Sequence, residues 1–119
     1  MQLIGAGRDV MIKKGKPGDE VFFIVSELCS KGDLFEFTHL ASGFDEKISA
    51  GIFSQVVAGV EAVHAKSRAH RDVKLENILL DKNCCPKLAD FGMQKQFDED
   101  KLLQTKIGTA FYMAPELYQ

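Results

Sequence analysis

The pattern of apolar and polar positions changes period several times along the chain. Val21-Phe22-Phe23-Ile24-Val25 is an unbroken run of β-branched and aromatic residues, which predicts a buried strand. Residues 1–6 are mostly apolar and read as another strand. Gly15-Lys16-Pro17-Gly18-Asp19 is a turn cluster. The two strands are therefore expected to pair across a loop over residues 8–20, with Lys13 and Lys14 as solvated loop charges. From 44 to 66 the period becomes helical. Ile48, Ile52, Val56, Val60 and Val63 recur at spacings of four or three, and Phe53 and Val57 widen the stripe. Asp45 is a fair N-cap, and Glu46 suits the first turn. Gly51 and Gly59 weaken this helix, so its stability must come from packing. Asp33 can cap a second, shorter helix at Leu34-Phe35-Glu36-Phe37. Ile78-Leu79-Leu80 is a further short apolar run.

Composition narrows the class without naming a function. The 119 residues suffice for one small domain with a real core, and 45% hydrophobic with 27% charged residues describe a globular chain. A formal net charge of -2 provides no basic footprint for nucleic acid. No apolar run approaches the length of a membrane span, and residues 1–9 lack the pattern of a signal peptide. Cys29, Cys84 and Cys85 are odd in number and lack metal-ligand spacing. Free thiols in a reducing compartment follow, so a cytoplasmic, intracellular location is expected.

The densest chemistry lies in His70-Arg71-Asp72-Val73-Lys74-Leu75-Glu76-Asn77. Asp90-Phe91-Gly92 begins thirteen residues beyond Asn77, and Ala114-Pro115-Glu116 lies near the C-terminus. This ordered trio resembles the catalytic loop, metal-binding loop and activation-segment end of eukaryotic-type protein kinases. The resemblance implies an incomplete α+β kinase-like fold. Residues 1–25 would be small-lobe strands, 26–33 a hinge, and 34–119 the front half of a mostly helical large lobe.

The resemblance also implies ATP- and Mg2+-dependent phosphoryl transfer to serine or threonine of a protein substrate. Asp72 would accept the hydroxyl proton, and Lys74 would neutralise the transferring phosphate. Asn77 and Asp90 would be the magnesium ligands. Ser26 falls at the gatekeeper position. Glu27 and Cys29 would meet adenine through the backbone, Asp33 would reach the ribose, and Leu79 would floor the adenine pocket. Glu76 joins this nucleotide-contacting set. Residues 86–89 would be the hairpin partner of the strand at Ile78 and Leu79, joined through Asp81-Lys82-Asn83. Phe91 would dock under a small-lobe helix, and Gly92 would free the backbone to turn. His64 reads as structural.

Lys74 and Gly108-Thr109-Ala110-Phe111-Tyr112-Met113 are similar to the Ser/Thr rather than the tyrosine pattern. Thr109 would hydrogen-bond Asp72 and Lys74. Thr105 is the candidate for an activating phosphate added by an upstream kinase, with Arg71 and Lys95 as cationic partners.

Several kinase parts are not found. Gly5-Ala6-Gly7 followed by Lys13 suggests a phosphate loop and its lysine, but a third glycine is missing and the lysine follows too closely. The glutamate-bearing small-lobe helix and later large-lobe helices are also absent. Phe111, Tyr112 and Leu117 are therefore expected to lack part of their cover, and the isolated chain is expected to be weak or inactive. The alternatives are a non-catalytic decoy or scaffold, or a remnant that binds ATP without transfer.

Overall fold

Two hairpins and one long helix organise the computed structural model, which describes residues 1–13, 16–97 and 108–117. Strands β1 (Leu3–Lys13) and β2 (Lys16–Ser26) form an antiparallel ribbon, with Ala6 opposite Ile24, Gly7 opposite Phe23 and Arg8 opposite Phe22. Most of the loop expected over 8–20 is therefore strand. Lys13, expected in that loop, ends β1; Lys14 lies outside the described residues. An antiparallel ladder satisfies backbone groups whatever the side chains are, so polar Arg8, Asp9 and Glu20 take part readily.

Gly5-Ala6-Gly7 is mid-strand. A Cβ on Gly7 would fall 2.8 Å from Phe23 Cζ, so the cross-strand ring occupies the space a side chain would need. The expected burial of β2 does not occur. Phe22 and Ile24 are 75% and 76% exposed, and Phe23 and Val25 are exposed as well. The ribbon is a two-stranded sheet, and among the described residues no third strand adds to it.

Both expected helix caps form. Asp33 precedes α1 (Leu34–Leu40), and its carboxylate accepts from Glu36 N–H at 2.8 Å. Asp45 precedes α2 (Glu46–His64) and accepts from Ile48 N–H at 2.8 Å. α2 is two residues shorter at each end than the 44–66 expected. Phe44 lies ahead of the cap and packs against Phe37, with ring centroids 6.0 Å apart. Beyond His64 the chain turns back, with Lys66 N–H bonded to Val63 C=O and Ser67 at a positive φ of 52°.

The core is small. Leu34, Ile78, Leu80 and Leu88 are buried together, and Ile52, Val56, Val60 and Val63 of α2 pack on them half-buried. Ile48, Phe53 and Val57 remain exposed, so the covered stripe is narrower than the apolar one. A groove of about 340 Å³ opens between α1, α2 and the 73–78 segment, lined by Leu34, Phe44, Ile52, Val56, Leu75 and Ile78. β4 (Ile78–Leu80) and β5 (Pro86–Leu88) pair antiparallel, with Ile78 opposite Leu88 and Leu79 opposite Lys87. Their turn is fastened by the Asp81 carboxylate, which accepts from the N–H groups of Asn83 and Cys85. A two-residue ladder of β3 (Arg68–Ala69) with β6 (Lys95–Gln96) was not foreseen. The three cysteines are free. The result is a partial α+β architecture of the kind the resemblance implied.

Candidate active site

The segment between β3 and β4 carries Asp72, Lys74 and Asn77, three of the expected site residues, and a buried histidine holds it in place. His70 is 2% exposed. Its Nε2 lies 2.8 Å from Ala89 C=O, so that nitrogen is the donor. Nδ1 is then the acceptor and meets Asp72 N–H at 3.3 Å. The imidazole also stands edge-on to Phe91 at 4.9 Å between centroids. Phe91 thus packs on His70, which ties the 70–77 segment to the 89–92 segment. A backbone bond from Ala89 N–H to Asn77 C=O at 2.8 Å joins the same two segments. His70 stands beside the motif, but no periodicity of the sequence signals this bridging role.

Asp72 is 6% exposed, and its carboxylate is fully engaged. Oδ1 accepts from Thr109 Oγ1 at 2.7 Å and from Thr109 N–H at 3.2 Å. Oδ2 accepts from Asn77 Nδ2 at 2.9 Å and faces Lys74 Nζ at 2.9 Å. Lys74 Nζ also donates to Thr109 Oγ1 at 2.7 Å. The contacts expected of Thr109 are therefore all present, across 37 positions of sequence from Asp72. The Thr109 hydrogen bond holds the Asp72 carboxyl below the usual range, with Lys74 and Asn77 adding to it against the opposing effect of burial. The Asp72 carboxylate in turn raises Lys74, again against burial.

Asn77 sits at the end of a 3-10 turn (Leu75–Asn77) and is 8% exposed. Its Nδ2 also donates to Asp72 C=O at 2.8 Å. Both amide hydrogens face Asp72, and among the described residues Oδ1 receives no hydrogen bond. Asp90 has a left-handed backbone, with φ 55° and ψ 75°, and among the described residues its exposed carboxylate accepts from Gly92 N–H alone, at 3.2 Å. Gly92 was expected to supply the backbone freedom here. Asp90 takes the left-handed conformation instead, while a Cβ on Gly92 would crowd Asp90 Oδ1 at 3.1 Å. The glycine provides space. Among the described residues there is no group of three or more His, Cys, Asp or Glu able to enclose a metal. The donor set suits a hard cation that keeps water and takes its remaining ligands from phosphate: the unbonded Asn77 Oδ1 and the exposed Asp90 carboxylate are both hard oxygens.

The remaining expected site residues lie along residues 26–33 and β4. Glu27 N–H donates to Gln2 C=O at 2.9 Å, and the Glu27 carboxylate accepts from Gln2 N–H and faces Lys87 Nζ at 3.3 Å. Among the described residues nothing bonds Glu27 C=O or Cys29 N–H. Burial pushes the Cys29 thiol up. Asp33 forms a bridge with Leu79, while its carboxylate caps α1. Glu76 is apart from Asp72, exposed and bonded by Tyr112 Oη–H at 3.2 Å. Arg71 has a positive φ of 68°; its Nε donates to Met93 C=O at 2.6 Å, and its Nη1 is buried without a partner among the described residues. Thr105 lies outside those residues, and Lys95 begins β6.

The chain is 42% identical over 94 residues to "NUAK family SNF1-like kinase 1" of Homo sapiens, covering 79% of this chain and 14% of that protein. It is 40% identical over 94 residues to "NUAK family SNF1-like kinase 2" of Homo sapiens, covering 79% of this chain and 15% of that protein. It is 39% identical over 101 residues to "Serine/threonine-protein kinase SIK3 homolog" of Danio rerio, covering 85% and 8%. The chain thus spans a small part of these relatives. The profile described as "Protein kinase domain" matches residues 8–119, and the chain belongs to that family.

Proposed function

We propose that this protein transfers the γ-phosphate of ATP to serine or threonine hydroxyls of a protein substrate. The observation that carries the reading is the closed cluster of Asp72, Lys74, Asn77 and Thr109, with a buried carboxylate beside a paired ammonium. Asp72 orients the acceptor hydroxyl and takes its proton as the oxygen–phosphorus bond forms. Its lowered pKa makes it a weak base, so most of its contribution is alignment. Lys74 balances charge on the moving phosphoryl group. Thr109 holds both side chains in register.

Asn77 Oδ1 and the Asp90 carboxylate would hold magnesium, which when bound neutralises phosphate charge. Adenine would lie over Leu79 against Glu27 C=O and Cys29 N–H, with Asp33 and Glu76 toward the ribose side. The Ser/Thr choice is supported by Lys74 and the 108–113 segment, and one relative's name carries the same words. Regulation would come from an upstream kinase at Thr105, with Lys95 and Arg71, whose Nη1 is buried without a partner among the described residues, as the cations for its phosphate. The expected location is cytoplasmic; among the described residues no helix is long and apolar enough to cross a membrane.

The test is transfer of labelled γ-phosphate by the longest chain encoded with this segment. Asp72→Asn should lower the rate by about 10²- to 10⁴-fold while Mg·ATP still stabilises the fold. Stabilisation by Mg·ATP with no turnover in the unmutated protein would instead identify an ATP-binding remnant. On its own, the 119-residue chain is expected to be weak or inactive.

A further inference from the structure

Lys87 has no role in the chemistry described above, yet it sits where three parts of the nucleotide site meet. It lies on β5 directly opposite Leu79 of β4. Directly paired residues of a ladder project to the same face, so the Lys87 stem leaves the ribbon beside the Leu79 side chain. Its Nζ reaches Glu27 Oε2 at 3.3 Å and Asp81 Oδ2 at 3.8 Å, with the three side chains 18–30% exposed. Glu27 is also anchored from the other direction, at the foot of β1: its N–H donates to Gln2 C=O, and its Oε1 accepts from Gln2 N–H and faces the Met1 ammonium at 3.8 Å. Residues 31–33 are pinned separately to β4, through Lys31 N–H to Leu80 C=O at 3.1 Å and Leu80 N–H to Gly32 C=O at 2.9 Å. The stretch between these anchors bears Glu27 C=O and Cys29 N–H, which nothing bonds among the described residues. Apart from Lys87, no side chain among the described residues of β4 or β5 fastens its leading end.

We propose that Lys87 is a positioning residue for the nucleotide base, fixing through Glu27 the gap between the 27–29 backbone and Leu79. This rests on the reading of that backbone as the adenine-facing edge. A half-exposed ion pair contributes little to global stability. Its effect belongs in the geometry of the slot, because two backbone hydrogen bonds to a flat ring require the edge and the floor to keep a fixed separation. Phosphate contacts lie at Lys74, Asn77 and Asp90 and do not depend on that gap.

The test compares two probes on the full chain, adenosine and inorganic triphosphate with magnesium, together with amide hydrogen exchange at residues 28–30. For Lys87→Met the expected result is an adenosine Kd weakened about threefold or more, an unchanged triphosphate Kd, and faster exchange at 28–30 with no change in α2. Lys87→Arg, which keeps the ion pair, should restore adenosine binding, and Glu27→Gln should copy Lys87→Met. Equal loss for both probes, or exchange that rises throughout the chain, would show a merely structural lysine and overturn the proposal. An unchanged adenosine Kd would overturn it as well. If the unmutated protein binds neither probe, the kinase reading itself fails, a result separable from the other two because it needs no substitution.

Discussion

Thr109 is the residue whose removal should be most informative, since one hydroxyl donates to Asp72 and accepts from Lys74. Its hydrogen bond is the largest cause of the lowered Asp72 pKa. A carboxyl lowered in the folded state stabilises the fold above the usual carboxylate range, and that stability is lost as pH falls through the lowered value. Thr109→Ala should therefore move the Asp72 titration upward, read by carbon NMR of its carboxyl group, and bring acid destabilisation to higher pH. An unmoved titration would assign the lowering to Lys74 and Asn77 instead. At this scale the sequence was legible where chemistry is concentrated: Asp72, Lys74, Asn77 and Thr109 come together as the motif order implied. His70 was not legible as a bridge, because its partners, Ala89 and Phe91, lie some twenty residues away and one of them is a backbone carbonyl. Gly92 was read as freeing the backbone to turn, but its φ is not positive, and a Cβ there would come within 3.1 Å of Asp90 Oδ1.

Capping and packing govern the elements. Asp45→Ala removes the acceptor for Ile48 N–H and should cost about 1 kcal/mol, measured by denaturant unfolding followed at 222 nm. Gly51 works in the other direction. A Cβ there meets nothing within 4 Å, so Gly51→Ala should stabilise α2 by about 0.5–1 kcal/mol in the same assay. No gain would mean that the helix end, rather than its middle, limits unfolding. Both caps could be read from sequence, since an aspartate ahead of an apolar-periodic run has a local cause. The extent of β1 could not. Residues 8–13 mix charged and apolar positions, and only the partner strand shows that they pair. The loop predicted there failed because cross-strand hydrogen bonds are non-local and outweigh a local cluster of glycine, proline and charge.

The whole molecule shows how much of its apolar surface stays uncovered. Phe22 and Ile24 share one face of the ribbon, Phe53 of α2 is exposed at the rim of the groove beside α1, and Phe111 is 98% exposed. Surface of this kind promotes association. Replacing Phe22 and Ile24 together by threonine, which keeps β propensity, should lower concentration-dependent light scattering of the isolated chain, while unchanged scattering would place the sticky surface on α2 or at Phe111. The family and the α+β class were legible in the sequence alone, because motif order, cap residues and helical period are local and survive in any register of the chain. Burial, the length of the first hairpin, the Lys87–Glu27 contact and the bridging of His70 to Ala89 and Phe91 were decided only by tertiary structure. Each depends on which distant segment arrives beside a residue, and that is fixed by packing and pairing across the fold rather than by neighbours along the chain.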